Sequence, residues 1–193
     1  MTAMNSIDEI IELMNSSSDQ EYIGEPLSQL DHALQCAHQA ALAGADMELM
    51  LAALLHDIGH LCLPHGAQMD GLGIVDHENI GAAYLIEHGF SLRLASLVKG
   101  HVDAKRYLCY RHPSYNENLS DASRRTLIYQ GGPMNSEQAL GFESDELFKA
   151  ALQLRTWDEA AKDPDAKVPQ LSCYRPMLDD ALTSKQEIER PGR

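Results

Sequence analysis

The chain has 193 residues, 44% of them hydrophobic, and a formal net charge of −14 at pH 7. That length suits one globular domain, residues 1–193, with a core expected roughly from 20 to 170. The acidity argues against nucleic acid or an anionic membrane as partner, and an anionic substrate would need local cations or metal ions.

The hydrophobic period is helical nearly throughout, so the predicted fold is all-α. Ile7, Ile10, Ile11 and Met14 share one face of a short amphipathic helix. Its segment, Met1 to Glu12, is acidic and lacks the basic flank of a signal peptide. Ser16-Ser17-Ser18-Asp19 breaks it. Ser28 is the expected cap of the next helix, with Asp31 in its first turn and Gly44 at its end. Asp46 opens a run from Met47 to Leu61, apolar almost all round, which reads as the central buried helix. Pro64 to Gly73 reads as a loop. Asp76 is the expected cap of a helix to about His88, and Ser91 of one reaching His101 and continuing toward Leu108. Arg111 to Asn118 reads as a polar loop, and Ser120 as the cap of a helix that Gly131-Gly132-Pro133 ends. A helix is predicted from Ser144 to about Ala161, a short one over Met177 to Leu182, and a frayed tail from Thr183. No run approaches the roughly 20 apolar residues of a membrane span. Cys36, Cys62, Cys109 and Cys173 lack paired spacing and read as reduced thiols of a cytoplasmic protein.

Chemistry concentrates around His56-Asp57-Ile58-Gly59-His60. An adjacent imidazole and carboxylate suit iron, manganese or zinc better than calcium, and a carboxylate can bridge two ions. His32, His60, His77, His101 and Asp158 can join the pair, mostly from different predicted helices. The ordered set His32, His56, Asp57, His77, His101 and Asp158 has enough donors for two metals, with Asp57 as the natural bridge. Any one of these residues alone has an ordinary structural explanation, and the force lies in the set. His38, His65, His88 and His112 lack such company. His56 and His60 share a helix face, which is also the spacing of a zinc-protease helix, but Glu would then have to follow the first His.

This order and spacing resembles the HD-domain superfamily. His77 and His101 point to its dinuclear branch. Within it, Tyr22-Ile23-Gly24-Glu25, Leu34-Gln35-Cys36-Ala37, His101 to Tyr107, Leu119 to Met134 and Trp157-Asp158-Glu159 are similar to the phosphonate-cleaving di-iron oxygenases. The resemblance implies an Fe(II)/Fe(III) pair, dioxygen as cosubstrate and oxidative C–P cleavage. The substrate would be 1-hydroxy-2-(trimethylammonio)ethylphosphonate, giving glycine betaine and phosphate, or 2-amino-1-hydroxyethylphosphonate, giving glycine. An upstream phosphonate hydroxylase would supply it.

The resemblance also assigns roles. Lys105, Ser123, Thr126 and Arg155 match the phosphonate pocket. Tyr22 and Glu25 match a catalytic gate near the substrate cation. His60 reads as a catalytic or substrate-contacting donor. Val75 and Asp76 before His77 are expected to favour the trimethylammonio substrate, by added room and added charge. Alone, Asp76 reads more simply as a helix cap, Ser123 and Thr126 as surface hydroxyls, and Lys105 and Arg155 as solvated charges. Two other classes remain open: a metal-dependent phosphohydrolase, whose dinuclear members usually carry Lys where this chain has His60, and a non-catalytic ligand sensor.

Overall fold

The computed structural model describes residues 6–188 except 23 and 64. Helices account for most of them, and no strand occurs among the described residues beyond two isolated bridges, Glu21 to Ser28 and Gln68 to Ile74. In chain order the helices are α1 (Ser6–Asn15), α2 (Gln29–Leu42), α3 (Met47–Leu55), α4 (Gly59–Cys62), α5 (His77–Glu87), α6 (Leu92–Arg111), α7 (Pro113–Asn118), α8 (Asp121–Tyr129), α9 (Ser136–Glu143), α10 (Phe148–Ala160) and α11 (Arg175–Ile188). A 3₁₀ turn, Leu171–Tyr174, precedes the last.

Short polar side chains set several starts. Ser28 Oγ accepts the Asp31 N–H at 3.0 Å while Asp31 faces back to the Ser28 N–H, a reciprocal cap for α2. Asp46 caps α3 through the Leu49 N–H at 2.9 Å, and Ser91 caps α6 through that of Leu94 at 3.1 Å.

Helices α3 and α10 pack against each other and each against α2 and α6, with α5 against α6. Their apolar faces meet in one core that includes Leu51, Leu54, Leu55, Leu94, Leu97 and Leu154, all fully buried. The terminal helices close it: Ile7, Ile10 and Met14 of α1 belong to the same cluster as Leu178 of α11.

The expected single helix from Met47 to Leu61 is interrupted. His56–Ile58 form a turn between α3 and α4. Gly59 follows, where a Cβ would lie 1.9 Å from the His77 carbonyl oxygen and 2.8 Å from the Gly81 nitrogen. Glycine therefore lets the chain run against α5, which brings Asp57 toward His77.

Other departures are local. The expected polar loop contains α7, with Pro113 at its first position, where a missing N–H costs nothing. Helix α9 was not predicted, and its start is a reciprocal cap between Asn135 and Gln138. Ser144 does not open α10, which begins at Phe148; Ser144 ends α9 instead. Asp76 precedes α5 but does not cap it: its backbone is left-handed, at φ 65°, and its side chain makes no capping bond. The last helix spans Arg175–Ile188, longer than the predicted Met177 to Leu182. Residues 1–5 and 189–193 lie outside the described residues.

Gly59→Ala is expected to cost about 3 kcal/mol through this backbone clash, lowering Tm by roughly 6–12 °C. Thermal melts followed by circular dichroism check this, and an unchanged Tm would refute the close-approach argument.

Candidate metal centre

Six donors converge from five parts of the fold. His32 comes from α2, His56 and Asp57 from the turn after α3, His77 from the start of α5, His101 from the middle of α6 and Asp158 from α10. All but Asp57 are buried, and Asp57 is half-buried.

Asp57 divides the donors into two groups. Its Oδ2 lies 3.3 Å from His56 Nε2 and 3.9 Å from His32 Nε2. Its Oδ1 lies 3.5 Å from His77 Nε2 and 3.6 Å from His101 Nε2. Asp158 Oδ1 joins the first group, 3.4 Å from His32 Nε2 and 3.8 Å from His56 Nε2. One carboxylate thus presents one oxygen to each pair of histidines.

The far side of each ring fixes which nitrogen is bare. Backbone carbonyls sit beside three Nδ1 atoms: Ala161 at 2.8 Å from His32, Ala53 at 2.9 Å from His56 and Val98 at 2.6 Å from His101. A carbonyl can only accept, so each Nδ1 carries its hydrogen, and in the neutral ring Nε2 then presents a lone pair. His77 has a carboxylate behind it instead, Glu78 Oε2 at 3.4 Å from Nδ1. His32 Nε2 faces His56 Nε2 at 3.2 Å, and His77 Nε2 faces His101 Nε2 at 3.1 Å. In neutral rings the His32 and His56 nitrogens meet lone pair to lone pair, a repulsion that a cation between them would turn into attraction, so these residues fit metal ligation. Burial pushes His77 well below its ordinary pKa and His101 down to about 4, keeping both neutral as ligands must be.

His60 behaves differently. Its Nδ1 accepts the Ile74 N–H at 2.9 Å, so Nε2 carries the hydrogen. That N–H has no protein partner among the described residues and stands 4.0 Å from Asp57 Oδ1. The ring stacks on His77, with centroids 4.0 Å apart. Gly73, at φ +99°, leaves room for it, since a Cβ there would lie 2.5 Å from the His60 ring. The hydrogen bond from Ile74 turns the His60 Nε2–H into the site, beside Asp57 and His77, with which its ring could also hold an ion.

A polar cavity opens onto the donors, lined also by Tyr22, Glu25, His60, Lys105, Ser123, Thr126 and Arg155. Lys105 Nζ donates to Thr126 Oγ1 at 3.0 Å, and that hydroxyl donates to the Ser123 carbonyl at 3.1 Å. Burial, then the Arg155 charge, push Lys105 down to about 7. Arg155 binds Asp158 Oδ2 and Glu159, while its Nε donates to the Tyr115 hydroxyl at 2.7 Å. By taking Oδ2 it leaves Asp158 Oδ1 for the histidines. Tyr22 stacks on His32 at 3.8 Å, and a tight turn carries Glu25, whose N–H donates to the Tyr22 carbonyl at 2.7 Å.

Asp76 is the predicted site residue that the structure leaves outside. It is exposed, absent from the cavity wall, and accepts from Asn79 Nδ2 at 2.6 Å. Four residues escaped the sequence reading. Glu78 follows His77 directly, so a charged neighbour of a ligand was its available signal. Lys162 and Glu159 continue the face of Arg155 and Asp158 at helical spacing, a charged stripe legible in the sequence. Gln130 lines the cavity with no sequence signal.

Residues 30–131 match the HD domain family model. The chain is 38% identical over 175 residues to the [1-hydroxy-2-(trimethylamino)ethyl]phosphonate dioxygenase (glycine-betaine-forming) of Leisingera caerulea, covering 90% of this chain and 89% of that one. It is 38% identical over 175 residues to the hydroxymethylphosphonate dioxygenase of Gimesia maris, covering 90% and 86%. It is also 40% identical over 182 residues to an uncharacterized protein of Acanthamoeba polyphaga mimivirus, covering 93% and 83%. The chain belongs to the HD-domain family. Within that family it groups with the dioxygenases and is an oxygenase.

A buried Lys charge opposes folding. The folded pKa of Lys105 is about 7 against an ordinary 10.5, so the penalty is full below 7 and fades as pH rises toward 10.5. Lys105→Met is expected to raise the Tm of the metal-free protein, more at about pH 6 than at about pH 9. Calorimetry at both values checks it, and a lower Tm at the acidic value would contradict the assignment.

Proposed function

We propose that this protein holds two iron ions and uses dioxygen to cleave the C–P bond of a 1-hydroxyphosphonate. The observation that carries this reading is the shared cavity. Two donor groups joined by Asp57 open onto the same space as the buried Lys105–Thr126 pair. His32, His56, Asp57 and Asp158 would hold one iron, and His77, His101 and Asp57 the other. Iron supplies the redox chemistry with dioxygen.

The remaining residues bind and orient. Lys105, Thr126 and Ser123 would neutralise and hold the phosphonate oxygens, as a protonated amine with neighbouring hydroxyls suits phosphate-like anions. Arg155 would reinforce that charge while fixing Asp158. The His60 Nε2–H would donate to a substrate oxygen near the metal. The reacting carbon ends as a carboxylate and phosphorus as phosphate, both oxygens of O2 being consumed.

The trimethylammonio substrate read from the sequence has the name of the Leisingera relative in its support. A second reading, hydroxymethylphosphonate giving formate and phosphate, is favoured by Lys162 beside Glu25 and by the name of the Gimesia relative. A phosphonate hydroxylase upstream would make either compound. The free cysteines support a reducing, cytoplasmic setting, and no helix among the described residues is long and apolar enough to cross a membrane.

Iron-loaded protein is expected to release phosphate from at least one of these hydroxyphosphonates only when dioxygen is present. Equal release without dioxygen would overturn the oxygenase chemistry in favour of hydrolysis. Asp57→Ala is expected to cut bound iron from two ions per chain to one or none, measured by elemental analysis. Retention of both would overturn the bridge.

A further inference from the structure

Of the carboxylates lining the cavity among the described residues, Asp57 and Asp158 face the metal donors, which leaves Glu25 to meet a substrate cation. Glu25 is already engaged. Lys162 Nζ lies 3.5 Å from Glu25 Oε1, and it also meets Glu159 at 3.1 Å and Ser120 Oγ at 3.4 Å.

Lys162 is held where it is by its neighbours on both sides. The preceding residue, Ala161, gives its carbonyl to His32 Nδ1 at 2.8 Å. The following residue, Asp163, has both backbone groups bound by the Gln35 amide, its carbonyl at 2.8 Å and its N–H at 3.1 Å. These bonds fix the backbone on both sides of Lys162, and Glu25, Glu159 and Ser120 hold its ammonium at the wall.

A quaternary ammonium has no N–H and relies on carboxylates and aromatic faces. Besides the imidazoles, Tyr22 is the aromatic residue on the cavity wall, and one of its faces is taken by His32.

We propose that Lys162 is a specificity-determining residue. By occupying Glu25 and placing a fixed positive charge on the cavity wall, it selects phosphonates whose carbon chain carries no cation and disfavours ammonio and trimethylammonio substrates. This rests on reading the cavity as a phosphonate site.

Binding tests it independently of turnover. Methylphosphonate and 2-(trimethylammonio)ethylphosphonate lack the 1-hydroxyl and serve as inert probes. They are titrated calorimetrically into iron-loaded protein without dioxygen, for the wild type, Lys162→Met and Lys162→Arg. The wild type is expected to bind methylphosphonate more tightly. Lys162→Met is expected to shift the ratio of the two Kd values toward the cationic probe by on the order of tenfold or more, as removing a nearby like charge should. Lys162→Arg, which keeps the charge, is expected to retain the wild-type ratio. An unchanged ratio in Lys162→Met overturns the proposal, as does wild-type preference for the cationic probe. Equal weakening for both probes also overturns it, making Lys162 a phosphonate ligand instead. Any of these alongside dioxygen-dependent phosphate release leaves the C–P reading intact. Absence of binding by both probes and of phosphate release removes both readings.

Discussion

The two oxygens of the Asp57 carboxylate each face a pair of imidazole nitrogens, within 3.9 Å at most. Around this group, three rings are turned so that protonated Nδ1 atoms bind carbonyls and bare Nε2 atoms converge. Such an arrangement of lone pairs and carboxylates in a buried space is unfavourable alone and becomes favourable around cations. The rest of the fold keeps it from relaxing. Gly59 lets the Asp57 turn touch α5, the carbonyls of α3, α6 and the end of α10 hold the rings, and Arg155 takes the second oxygen of Asp158.

Helix α10 links the metal centre to substrate recognition. Arg155, Asp158, Glu159 and, just past its end, Lys162 form one charged stripe. Asp158 turns one oxygen to His32 and His56, Arg155 reaches the cavity, and Lys162 meets Glu25. The carbonyl of Ala161 anchors His32 from the same segment. In a chain of net charge −14, Lys105 and Arg155 on the cavity wall are the local cations that an anionic substrate would need. The HD-domain scaffold does not itself choose between hydrolysis and oxygen chemistry. His60 meets this scaffold with its Nδ1 held by the Ile74 N–H, which turns Nε2 inward.

Much of this was legible before the fold. Helix starts at Ser28, Asp46 and Ser91 follow from local hydrogen bonding, which short polar residues advertise. The donor set was legible because its chemistry is unusual and its order is distinctive. Asp76 was misread because an Asp before a helix looks like a cap, whereas here its backbone turns left-handed and its side chain goes to Asn79. Helix α9 was missed because Asn135 and Gln138 lie among residues without a strong apolar period. The continuous helix expected through His56 failed because hydrophobic periodicity does not report the close approach of another backbone at Gly59.

By itself the sequence determined the helical class, most helix starts and a set of candidate metal donors, all properties carried by residue type and short-range spacing. Only the tertiary structure decided which oxygen of Asp57 faces which histidines, that the Ile74 N–H binds His60 Nδ1, and that Lys162 meets Glu25. Most of those outcomes depend on distant partners, 14 positions apart for Ile74 and His60 and 137 for Lys162 and Glu25. Proton placement and charge pairing are set by the atoms that packing brings within hydrogen-bond reach, and spacing along one segment carries no record of them.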